Sequence, residues 1–145
     1  MSMKRGFTAG AIGVAMLSLG LSVGAQGSNT YKARLSPVPI DATMAATVAG
    51  SGSVTATLTG TKLSIAGTFE GLRSPATTAK VHFGRKGVRG ASLFDLTITK
   101  ATSGTITGNL TLTPVQQDDL KDGKLYVQIQ SEKAPDGNLW GWLLK

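Results

Sequence analysis

Histidine is the side chain best suited to move a proton or hold a metal near neutral pH, and this chain of 145 residues contains one, His82, and no cysteine. It stands in Ala79-Lys80-Val81-His82-Phe83-Gly84, with Gly87 and Gly90 following. A zinc or copper centre takes three or four nitrogen, sulfur or carboxylate ligands, so His82 alone is a poor donor set. The expectation is a hydrogen-bonded structural histidine, with no metal and no cofactor. Hydrolytic chemistry is as thinly supplied. Ser92 and Ser131 are formal nucleophiles and Asp95, Glu132 or Asp136 formal partners for His82, yet no G-x-S-x-G frame holds either serine. Asp118, Asp119 and Asp122 flank a short helical pattern and do not form a calcium-loop spacing. Without cysteine there is no disulfide, thiolate nucleophile or cysteine-linked lipid anchor. The chain therefore reads as a non-enzyme.

Residues suited to recognition are better represented. Trp140 and Trp142 share one face of a strand, opposite Leu139, Gly141 and Leu143. Either both rings pack under a loop, or they form a platform for a sugar, an apolar ligand or a partner protein. If Val81 and Phe83 point inward, Lys80 and His82 share the outward face of their strand. Tyr126, Gln128 and Gln130 likewise share theirs if Leu125, Val127 and Ile129 are core. With Asn138, Trp140 and Trp142 these are the candidate recognition residues, for an unknown protein or glycan partner. A second basic cluster, Arg85, Lys86 and Arg89, is set among Gly84, Gly87 and Gly90. It lacks the G-K-S/T ending of a phosphate loop and is expected to be a turn whose glycines supply positive φ. It is the alternative seat of recognition if the tryptophans are core.

These residues have to be positioned by strands. Val54, Ala56 and Leu58 alternate with threonines, Leu63, Ile65 and Phe69 follow the same period, and Gly60-Thr61 joins the two runs as a hairpin. Further strands are expected at Tyr31–Leu35, Met44–Ala49, Ala79–Phe83, Leu93–Ile98, Thr105–Leu112, Lys124–Gln130 and Asn138–Leu144. Gly50-Ser51-Gly52 is expected to mark a bulge or bend and Asp136-Gly137 a hairpin turn. One short helix interrupts the pattern, with Thr113 as cap, Pro114 at the first position, Gln116 completing a capping box and Gly123 ending it. The number and spacing of the strands predict an all-β antiparallel sandwich or barrel with one short helix, the sandwich being the expected layout. Val81, Phe83, Leu125, Val127, Ile129, Leu139 and Leu143 are the expected inner face.

The first 25 residues read as an address. Lys4 and Arg5 precede an apolar run from Ala9 to Leu21, and Val23-Gly24-Ala25 is a small-residue cleavage pattern. The domain plan is a signal peptide over 1–25, a flexible leader over 26–30 and one domain over 31–145. The product is exported, periplasmic or extracellular, and meets a membrane only during export. Removing Lys4 and Arg5 leaves thirteen basic residues against eight acids, a formal charge of +5. They are scattered, with no run of five or six, so a solvated basic surface is expected and no specific nucleic-acid partner.

The segments Ala79–Gly90 and Gly123–Leu143 also resemble motifs of the CHRD (chordin-type) domain. The first matches A-H-I-H-x-G-x-x-G-x-x-G, and Gly123-Lys124-Leu125-Tyr126-Val127-Gln128-Ile129-Gln130-Ser131 matches G-x-L-Y-V-N-I-H-T. Gly137-Asn138-Leu139-Trp140-Gly141-Trp142-Leu143 matches G-E-I-R-G-Q-L. Lys80 and Gln130 replace motif histidines, and Trp140 replaces an arginine; the resemblance implies that these segments lie together, so that the candidate residues form one recognition surface. The resemblance implies a Greek-key, immunoglobulin-like or superoxide-dismutase-like sandwich acting as a non-catalytic binding or structural module. Its histidine-bearing strands imply the alternative of a metal-binding protein or metalloenzyme, against which the replaced histidines weigh.

Overall fold

The strands follow the alternation. In β2 (Ser51–Thr59) Val54, Ala56 and Leu58 are buried while Ser53 and Thr55 are exposed, and β3 (Lys62–Glu70) buries Leu63, Ile65 and Phe69. The computed structural model describes residues 28–145. The expected signal peptide over 1–25 lies outside the described residues. Residues 28–30 of the expected leader belong to β1 (Ser28–Pro37), paired with the end of β2. The remaining elements are β4 (Ala76–Phe83), β5 (Ser92–Ile98), β6 (Gly104–Thr111), α1 (Pro114–Lys121), β7 (Leu125–Ser131) and β8 (Ala134–Trp142).

Every neighbouring pair is antiparallel, and the order β1-β2-β3-β6-β5-β4-β7-β8 closes on itself as a barrel. The sandwich expected from sequence is thus corrected to an eight-stranded barrel. Period-two alternation reports that one face of each strand is buried, which both architectures satisfy. What separates them is whether the first and last strands meet. Here β1 pairs with β8 through Ser36–Trp140 and Pro37–Leu139, and a bridge joins Lys32 to Leu144. Eight strands enclose a space that side chains can fill. Val81, Leu125, Val127, Ile129, Leu139 and Leu143 are fully buried in it, as the inner-face assignment requires.

Phe83 is the exception. It is the last residue of β4 and is 40% exposed, although it keeps register with buried Leu125 of β7. The helix forms as its caps dictate. Thr113 Oγ1 accepts from the Gln116 N–H at 3.2 Å, Gln116 Oε1 accepts from the Thr113 N–H at 3.0 Å, and Gly123 follows the C-cap at φ +71°. Leu120 from α1 is buried in the barrel core.

Two further expectations are corrected. Met44–Ala49 is not a strand but part of a strap, residues 38–50, that connects β1 to β2. Asp41 turns the strap by accepting from the Thr43 N–H at 2.9 Å, the Thr43 hydroxyl at 2.6 Å and the Met44 N–H at 3.1 Å. The Thr43 hydroxyl, followed by these N–H groups, holds the Asp41 carboxyl below its ordinary pKa. The tight turn between β7 and β8 lies at Glu132–Lys133 rather than at Asp136–Gly137. Gly137, at φ +135°, instead belongs to an irregular stretch of β8 whose register shifts between Ile129 and Ser131 of its partner.

Candidate binding site

The ladder brings the expected recognition residues together on the outside of the barrel. Lys80 on β4 is opposite Gln128 on β7, which is opposite Trp140 on β8, which is opposite Ser36 on β1. One row along, His82, Tyr126 and Trp142 are aligned. Gln130 pairs with Thr78, whose hydroxyl donates to Gln130 Oε1.

Adjacency does not make them a surface. Tyr126, Gln128, Asn138, Trp140 and Trp142 are all buried, the two tryptophans to 8% and 7% exposure. Tyr126, Trp140 and Trp142 form a second apolar cluster, outside the barrel, with Ala134 and with Val38 and Val48 of the strap. Five of the eight recognition candidates are therefore covered, and Lys80, His82 and Gln130 are part-buried. Alternation places a side chain outside the barrel but says nothing of what lies over it.

One cover is the glycine-rich loop, residues 84–91. Trp142 Nε1 donates to the Gly84 carbonyl at 2.8 Å. At the other end the Gly90 N–H donates to Tyr126 Oη at 2.8 Å, and His82 Nδ1 lies 3.0 Å from the Gly90 carbonyl. A carbonyl only accepts, so Nδ1 carries the proton and His82 works as a clamp. Its ring stacks on Tyr126 with centroids 5.0 Å apart, and Tyr126 lies 4.5 Å from Trp142. Only Gly87 has the expected positive φ, at +85°. Gly84 and Gly90 are required by proximity, because a Cβ on Gly90 would fall on the Phe83 carbonyl and one on Gly84 would crowd that of Val88.

The other cover is the strap, and Asn138 latches it at both ends. Its backbone carbonyl accepts from the Val38 N–H at 3.0 Å and its Oδ1 from the Ala49 N–H at 3.2 Å, while Nδ2 donates to Ser131 Oγ at 2.9 Å. Asn138 and Ser131 are thus structural.

Beside the loop lies an open groove of about 650 Å3. Trp140, Gly141 and Trp142 form its floor, Lys32, Arg34 and Ser36 of β1 one wall, and Lys86-Gly87 of the loop the other. Three exposed cations meet there, no carboxylate lines the groove, and none of the three is ion-paired among the described residues. The other two basic loop residues are placed differently. Arg89 donates to the Asp136 carbonyl at 2.5 Å and lies 6.0 Å from the Trp140 ring centroid, so it helps to hold the loop down. Arg85 does not line the groove.

The family model of the CHRD domain matches residues 24–143. The chain belongs to the CHRD domain family. No curated protein and no solved structure matches it. In this CHRD domain the motif glycines and aromatics build the loop clamp just described. The replaced histidine positions have other partners: Lys80 Nζ lies 3.6 Å from Asp95 Oδ1, and Gln130 takes the Thr78 hydroxyl. Among the described residues no three His, Cys, Asp or Glu side chains cluster as metal ligands do.

The residues that sequence reasoning missed are Lys32, Arg34, Ser36 and Ser53. Lys32 and Arg34 do alternate with buried Tyr31, Ala33 and Leu35, so their outward direction was legible. Their position beside Trp140 and Trp142 was not, because it follows from barrel closure between the two ends of the chain.

Proposed function

We propose that this CHRD domain is an exported, non-catalytic binding module whose ligand lies in the groove between β1, β8 and the 84–91 loop. The observation that carries the reading is the convergence of Lys32, Arg34 and Lys86 on the tryptophan floor without a carboxylate among them. Like charges gathered from β1 and the loop repel one another, and an anionic ligand relieves that repulsion. The non-catalytic reading is supported by how the reactive groups are engaged. His82 is stacked and bonded to the loop, Ser131 is buried under Asn138, and Asp95 faces Lys80. Export is proposed from the Lys4–Arg5, apolar run and Ala25 pattern.

The test is capture from the native exported fraction, comparing wild type with Arg34→Glu/Lys86→Glu. Both residues are exposed, so melting should be unchanged within about 0.5 kcal/mol. We expect the wild type to retain an anionic ligand and the variant to lose it. Identical capture by both proteins contradicts the placement of the site.

A further inference from the structure

The basic groove is one half of a longer trough. A second depression, of about 560 Å3, is lined by Arg34, Ser51, Ser53, Thr68, Glu70 and Ser103, and it shares Arg34 and Ser53 with the first. The combined trough crosses the outer face of β8, β1, β2 and β3, which are consecutive in the barrel. Three interstrand steps span roughly 15 Å. Its cations lie in the first half, its hydroxyls run along both halves, and its one lining carboxylate, Glu70, is at the far end.

Resting on the site assigned above, we infer that the ligand is a linear acidic polysaccharide, bearing uronate or sulfate groups, that lies along this trough. Lys32, Arg34 and Lys86 meet the acidic groups, and the serine and threonine hydroxyls bond sugar hydroxyls.

Other polyanions fit less well. Single-stranded nucleic acid binds by stacking bases on exposed rings, and these rings are more than nine-tenths covered. An extended acidic peptide gains affinity by adding a strand to an open edge, whereas β1, β2 and β3 are each paired on both sides here. Of the exposed large apolar side chains among the described residues, Ile40, Phe83, Val88 and Val115 lie outside the trough lining and Leu144 alone lines it, which gives a lipid surface little to hold.

Titration of the full exported chain with a polyuronate, a sulfated dextran, neutral dextran, an oligothymidylate and polyglutamate decides the matter. We expect saturable binding of the polyuronate or the sulfated dextran, weakened at least about tenfold by Arg34→Ala/Lys86→Ala and by raising salt. Lys100→Ala/Lys121→Ala, which removes the same charge from exposed positions outside the trough, should leave it unchanged. Oligouronates should tighten with length up to the span of the trough. Equal affinity for a disaccharide and a hexasaccharide overturns the extended trough. Equal or tighter binding of oligothymidylate or polyglutamate overturns the polysaccharide assignment while leaving the groove as the site. Equal weakening by the two double variants overturns the site itself.

Discussion

Tyr31 shows at the residue scale how closely the barrel interior is packed. It is fully buried, and its hydroxyl has no hydrogen-bond partner among the described residues. An unpaired buried hydroxyl costs about 1–3 kcal/mol of desolvation. Burial also pushes its phenol above the ordinary 10.0. A raised acid pKa means that the folded state holds the proton longer than the unfolded one does. The stability linked to Tyr31 is therefore intact below pH 10.0 and lost as pH rises from there towards the folded value. Tyr31→Phe removes the hydroxyl and keeps the ring. We expect the variant to be as stable as wild type at pH 7, or more stable by up to about 1 kcal/mol, and to unfold less readily above pH 10. Denaturant melts at the two pH values measure this, and a loss beyond about 1 kcal/mol at pH 7 would mean that the hydroxyl has a partner.

Among the elements, the strap and the glycine-rich loop turn an outer sheet face into a second core. Truncating Asn138 to alanine keeps the backbone bond from Val38 but leaves the Ala49 N–H and Ser131 Oγ without their partner. We expect Asn138→Ala to cost about 1–3 kcal/mol and to make tryptophan fluorescence more accessible to iodide. Unchanged quenching would show that the strap does not depend on this latch. The strands themselves were legible from alternation, and α1 from its Thr113–Gln116 box, because both signals are local. The strap was not legible as a turn, since Met44, Ala45, Ala46 and Val48 look strand-like until Asp41 captures the Thr43 and Met44 N–H groups. Nor was the hairpin turn, because Asp136-Gly137 has favourable turn chemistry yet forms the irregular stretch of β8. Phe83 alternates with Val81 and so reads as inward, but it stands at the end of β4, and where a strand leaves the covered part of the barrel is not written in the residue pattern.

For the molecule as a whole, barrel closure decides what the site contains. Sequence brought Lys80, His82, Tyr126, Gln128, Gln130, Asn138, Trp140 and Trp142 into one neighbourhood through the CHRD motifs, and the ladder places them there. It did not reveal that most of them are covered, or that the exposed chemistry belongs to Lys32, Arg34 and Lys86, because β1 meets β8 only when the barrel closes. The chain has two tryptophans, and both line the groove. Intrinsic fluorescence is therefore a direct reporter of ligand in the proposed site. Titrating the protein with a polyuronate should produce a saturable change in tryptophan emission that is absent from Arg34→Glu/Lys86→Glu. Binding of the polyuronate, shown by calorimetry in the same buffer, with no change in tryptophan emission would contradict the account.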